Sequence, residues 1–300
     1  MSSEKRRFRW APLLLFIIPV WLILSATVGI WLLFRHEKKQ AEIEQERFSQ
    51  AVSSDLIADD LKKLVTVLGE RNTSSDSAAA TLTRTASMIE GLLGPSNIGY
   101  PVKRHRGPAS WPILQVTIKG TSAENPVWVI ASYDSRPGSP GADANASGVS
   151  AAIAAAQALA AEKPVKPIHF AFIPHANDPE SPVLETADEL IKLLRENKPS
   201  AILVVEAMGS GESLWLTSRD TEATPLSKID GLGKVVGAEV ACLGEDSDLA
   251  SVLFEMNQPA VRVATRAIVT PGEPDNREPF APTVAASTGR LIELIHRLAR

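Results

Sequence analysis

Cysteine is nearly missing from this chain. Of 300 residues only Cys242 carries a thiol, which excludes an internal disulfide and any CxxC metal knuckle; its simplest reading is a small core residue. Histidine is scarce as well: the 5 are His36, His105, His169, His175 and His296, so none lies between Arg219 and Ile295. Nor does charge of one sign prevail. Lys and Arg number 31 against 35 Asp and Glu, a net charge of −4, and that balance argues against a nucleic-acid partner. There is no internal repeat, no low-complexity tract and only one long apolar run.

That run, Trp10 to Phe34 (WAPLLLFIIPVWLILSATVGIWLLF), carries no charge over about 25 positions, enough to cross a hydrocarbon layer of about 30 Å. It is too long for the apolar region of a cleaved signal peptide and ends in LLFRHEKK, so it reads as an uncleaved single-pass anchor. Lys5, Arg6, Arg7 and Arg9 before it, and Arg35, Lys38 and Lys39 after it, favour a cytoplasmic N-terminus and an extracytoplasmic soluble part. The chain therefore divides into a basic tail over residues 1–9, a transmembrane anchor over 10–34, a helical stalk over 35–54 and a domain over 55–300. A domain of that length buries a sizeable core.

Within the domain Leu56, Leu61, Leu64, Val65 and Leu68 recur at helical spacing, a polar break follows at Thr73–Ala78, and Ala79–Leu93 is a second helix ending at Gly94. Apolar runs at Ile113–Ile118, Val127–Ala131, Ile168–Ile173, Ala201–Val205 and Val261–Ala264 read as strands. They alternate with helices from about Ala146, over Glu185–Glu196 and over Val284–Leu298. The alternation predicts an α/β fold of three layers, a mixed but mostly parallel sheet flanked by helices. In such a sheet ligands and catalytic groups collect in loops leaving the carboxyl ends of strands. The loop in VWVIASYDSRPGSPGADANASGVSAAIAAAQAL (Val127–Leu159) accordingly puts Ser132, Asp134, Asp143 and Asn145 where chemistry is expected.

Three pieces, VIASYDS, PGADANASGVSA and TPGEPDN, carry a resemblance. From about Asp55 to Arg300 the chain resembles zinc metallopeptidase family 28, zinc exopeptidases of aminopeptidase, glutamate carboxypeptidase and transferrin-receptor type. Its members usually read as an apolar strand, HxDS, a loop, then PGADDNASG and a helix. The resemblance implies the zinc-exopeptidase fold. It also implies two zinc ions held by a His, a bridging Asp, a Glu, an Asp and a second His, with a neighbouring Glu as general base.

Carried over residue by residue, those positions hold other side chains. The first His falls on Ser132, the bridging Asp on Ala144, the general base on Asn177, the ligand Glu on Asp178, the ligand Asp on Glu206 and the last His on Leu249. Asp134 falls on a supporting position behind the ligands. Zinc needs about three or four N, S or O donors, and a bridging carboxylate is what holds two dications about 3.5–4 Å apart. Ala144 and Leu249 donate nothing, Ser132 is a poor substitute for imidazole, and Asn177 cannot take a proton from water. A single-zinc arrangement of the glutaminyl-cyclase kind loses its ligands at Ala144 and Leu249. The expectation is a membrane-anchored, catalytically inactive relative with no cofactor, which binds a peptide or protein in the old substrate cleft or serves as an assembly module. The alternative is an active metallo-aminopeptidase whose zinc ligands are displaced.

The remaining candidates have plainer readings. Asp134 and Asp143 suit loop residues that bond local amides, and Asn145 suits the N-cap of the Ala-rich helix. Asp178 and Glu206 would bind a Ca²⁺-like cation only with several further oxygens. A Ser132–His175–acid triad has no nucleophile elbow to support it. Gly231, Gly233 and Gly237 follow no clear strand, so they read as ordinary loop or cap glycines rather than a nucleotide loop.

Overall fold

A computed structural model describes residues 20–36, 38–39, 52–178, 183–220, 239–242, 248–266 and 275–300. The chain splits into two units, Met1–Glu44 and Gln45–Arg300. In the first, residues 20–36 form helix α1, whose large apolar side chains are exposed, Trp21 at 67% and Phe34 at 67%. The start of the expected anchor (residues 10–19) and most of the expected stalk (residues 40–51) lie outside the described residues. Among the described residues no helix is long and apolar enough to cross a membrane.

The second unit opens with α2 (Ser54–Lys62), which starts where it does because the extended Ser53 accepts a hydrogen bond from the Leu56 amide. A widened turn (Lys63–Leu68) follows, closed by the amide of Gly69 on the Leu64 carbonyl at 3.1 Å. Helix α3 (Asp76–Leu93) begins before its apolar pattern does, since Ser75 caps the Ala78 amide at 3.2 Å. Then come β1 (Lys103–His105), β2 (Ile113–Ile118), β3 (Val127–Ser132), α4 (Gly148–Ala158), β4 (Ile168–Ile173), α5 (Val183–Glu196) and β5 (Ala201–Val205). They are followed by β6 (Trp215–Ser218), β7 (Glu239–Cys242), α6 (Leu249–Glu255), β8 (Val261–Ala264) and α7 (Ala281–Leu298). Gly231, Gly233 and Gly237 lie outside the described residues, as does the side chain of Cys242.

Among the described residues the strands form one 8-stranded sheet in the order β1-β2-β4-β3-β5-β8-β6-β7. The α/β expectation agrees with this mixed sheet flanked by helices, but parallel pairing is confined to β4–β3–β5–β8 and to β6–β7. The pairs β1–β2, β2–β4 and β6–β8 are antiparallel. Along β3, Val127, Val129 and Ala131 enter the core shared with α2, α3, α4 and α7, while Trp128 and Ile130 enter the one shared with α5 and α6. Burial on both faces explains why these strands read as continuous apolar runs.

The chain order places the site. From β3 it passes through α4 to β4 on one side; from β4 it returns through α5 to β5 on the other side of β3. The two helices lie on opposite faces, so the carboxyl ends of β3, β4 and β5 border a crevice at a topological switch point. Helix α4 reaches that crevice through Gly148, where a Cβ would stand 2.9 Å from the Val205 carbonyl oxygen.

Candidate functional site

At the centre of the crevice is the Asp134 carboxylate, fully buried. Its Oδ2 accepts three consecutive amides at the end of β4, those of Ala176 (3.0 Å), Asn177 (2.8 Å) and Asp178 (3.0 Å). Its Oδ1 accepts the Ser132 hydroxyl and the Asn177 side-chain amide, the latter at 3.1 Å. Asn177 Nδ2 also donates to Ser132 Oγ at 3.1 Å, so Ser132, Asp134 and Asn177 bond one another in a closed set. The amides Asp134 gathers are not local to its own loop: it fastens β3 to the loop after β4.

Asp143 works in the same way toward β5. Its Oδ1 accepts the Gly209 amide at 2.7 Å, its Oδ2 accepts the Ser210 hydroxyl at 2.5 Å, and Arg266 Nε lies 3.5 Å from Oδ2. Asn145 does not cap α4. Gly141, left-handed at φ 58°, opens a widened turn over Ala142–Ser147 that the Ala146 amide closes on the Gly141 carbonyl at 2.8 Å, and Asn145 is buried inside that turn. The turn is held from outside by Asp275, whose carboxylate accepts the amides of Asp143 at 2.7 Å and Ala144 at 2.9 Å.

The other expected positions are placed as follows. Glu206, after β5, accepts from Arg262 Nε of β8 at 2.7 Å; its side chain is 15% exposed and that of Arg262 3%. Burial pushes the Glu206 carboxyl upward and Arg262 opposes it. Asp178 Oδ2 accepts both the amide and the hydroxyl of Thr73, each at 2.7 Å, and so turns toward the segment between α2 and α3. Leu249 opens α6 inside the apolar cluster with Ile130 and Ile173, and Ala144 is buried. His175 is fully buried edge-on to Trp111, ring centroids 5.4 Å apart; neither ring nitrogen has a partner among the described residues, and burial lowers its pKa. The Ser132 hydroxyl donates its hydrogen bond to Asp134, and no Ser132–His175 pair forms. Among the described residues no group of three or more His, Cys, Asp or Glu is placed to hold a metal ion. Asp178 and Glu206 have different partners.

Four residues of the site had no role read from the sequence: Arg71, Arg262, Arg266 and Asp275. Arg71 is fully buried and donates to the carbonyls of Tyr133 (2.9 Å), Leu64 (2.8 Å) and Gly69 (2.7 Å), and burial lowers its pKa to about 10 against Asp134 and Asp275. Arg262 had a visible signal, as the one charge inside the apolar strand VRVA, and Asp275 lies in the TPGEPDN piece.

A mixed sheet flanked by helices, with acidic loops gathered at its switch point, places the protein in the α/β class. The model of peptidase family M28 matches residues 114–246. No curated protein matches the chain. The fold is similar to that of the Legionella pneumophila LapA aminopeptidase, at 16% identity over 86% of this chain and 74% of that one, with a TM-score of 0.65. It is also similar to the Tannerella forsythia glutaminyl cyclase, at 15% identity over 82% and 98%, TM-score 0.63. A leucine aminopeptidase precursor from Bacteroides thetaiotaomicron shares 14% identity over 82% and 97%, TM-score 0.59. Over residues 114–246 the chain is thus similar to peptidase family M28, and its fold is like that of these enzymes.

Proposed function

We propose that this is a membrane-anchored, non-catalytic M28-like protein whose cleft grips a peptide or a segment of a partner protein. The observation that carries the reading is the closed set of Ser132, Asp134 and Asn177: hydroxyl and amide occupy the first-ligand and general-base positions and spend their hydrogen bonds on one another. An amide in place of the base removes roughly 10²–10⁴ in rate, and Ala144 and Leu249 supply no donor for a metal-activated water. The residues present do not fit two zinc ions. The uncharged run from Trp10 to Phe34 and the exposed apolar surface of α1 support the anchor, with the domain outside the cytoplasm.

The binding half of the reading rests on a cleft of about 530 Å³ beside Asp143, lined among the described residues by Leu61, Arg277, Glu278 and Phe280. That volume suits one or two side chains of a peptide, and the exposed ring of Phe280 gives it an apolar wall. Metal analysis of the purified full-length chain together with an aminopeptide hydrolysis assay tests the reading: substoichiometric zinc and no chelator-sensitive turnover are expected. Stoichiometric zinc with turnover abolished by a chelator would establish instead an active metallo-aminopeptidase with displaced ligands. Partner capture by the wild type but not by Phe280→Glu is the expected outcome for the cleft; unchanged capture would reduce the domain to a structural role.

A further inference from the structure

The site departs from the two-metal arrangement of its fold in a particular direction: positive charge is present, and it is supplied by arginine. Arg262 Nε meets Glu206 at 2.7 Å, Arg266 Nε lies 3.5 Å from Asp143, and the buried Arg71 sits within electrostatic reach of Asp134 and Asp275. Arg262 is the best placed of these. It projects from β8, paired with Val204 of β5, so its guanidinium stands beside the strand end that carries Glu206. It also donates through Nη1 to the Arg266 carbonyl at 3.1 Å, fixing the segment from which Arg266 reaches Asp143. One side chain therefore sets two ion pairs.

A carboxylate this buried needs a cation. A dication would require two or three further donors, whereas the Arg262 guanidinium meets the carboxylate directly through Nε and donates to backbone through Nη1. We infer that Arg262 is a built-in cation: its guanidinium takes the place of a divalent ion at the end of β5, so that the acidic loops close without metal. This rests on the non-catalytic reading of the site.

Thermal unfolding of the full-length chain in detergent tests it, with zinc and ethylguanidinium as probes. Millimolar zinc leaves the wild-type Tm unmoved. Arg262→Ala strands Glu206 and lowers Tm by about 6–20 °C; ethylguanidinium, which fits the vacated space, recovers part of that loss and does nothing to the wild type. The double variant Glu206→Gln/Arg262→Met, which removes both charges, melts well above Arg262→Ala. If Arg262→Ala does not fold, a folded double variant supports the inference and an unfolded one overturns it. A wild-type Tm raised by zinc and made insensitive by Glu206→Gln would also overturn it, because Glu206 would then be open to a metal. Zinc-dependent peptide hydrolysis in a chain whose Arg262 variants behave as expected would sink the non-catalytic reading alone.

Discussion

Single side chains here set the local electrostatics more than the local shape. Asp60 on α2 is the plainest case: it is buried, 7% exposed, and burial raises its carboxyl to about 6 despite Lys63. A folded-state pKa above the unfolded 3.8 means that the folded chain holds the proton more tightly, so stability is present below about pH 4 and declines as pH rises through about 6. Asp60→Asn is expected to stabilise the domain by about 1–3 kcal/mol at neutral pH and to melt with the wild type in acid, as read from Tm across a pH series. At this scale the sequence was readable for identity and not for partnership. That Ser132, Ala144, Asn177 and Leu249 lack the expected chemistry follows from the residue names alone. That Glu206 would find Arg262, or Asp134 the amides of Ala176, Asn177 and Asp178, does not, because partners 42–56 residues away are brought together only by the sheet.

At the level of elements, strands buried on both faces declare themselves as apolar runs, and β2, β3, β4, β5 and β8 were legible for that reason. The edge strands were not: β1 is the three residues KRH, and β7 takes its order from pairing with β6 rather than from its own pattern. Helix α4 begins later than the sequence suggests, because the segment before it winds as a widened turn nucleated by a left-handed glycine rather than capped by Asn145. Its first residue is constrained by contact. A Cβ at Gly148 would press on the Val205 carbonyl at 2.9 Å and on Glu206 Cα at 3.0 Å, backbone that cannot swing aside. Gly148→Val is expected to cost about 2 kcal/mol or more and to displace the loops at the ends of β3 and β5, measurable as a lower Tm with altered amide chemical shifts around Glu206.

For the whole molecule, the sheet and its helices hold a fold similar to that of the LapA aminopeptidase, while Ser132, Asp134 and Asn177 in the crevice bond one another. The proposed anchor makes a prediction of its own. Full-length chain is expected in the membrane fraction and to resist alkaline carbonate extraction, whereas a chain beginning after Phe34 should appear in the supernatant; full-length protein released by carbonate would remove the anchor from the proposal.

The three amides held by Asp134 belong to a loop, where backbone N–H groups ordinarily trade their hydrogens with water in seconds or minutes. Here they point at a carboxylate that no solvent reaches. Exchange at Ala176, Asn177 and Asp178 should therefore be as slow as in the central strands, which makes this turn part of the last region to open as the domain unfolds. Replacing Asp134 by Ala should release all three at once while leaving the interior of β4 protected.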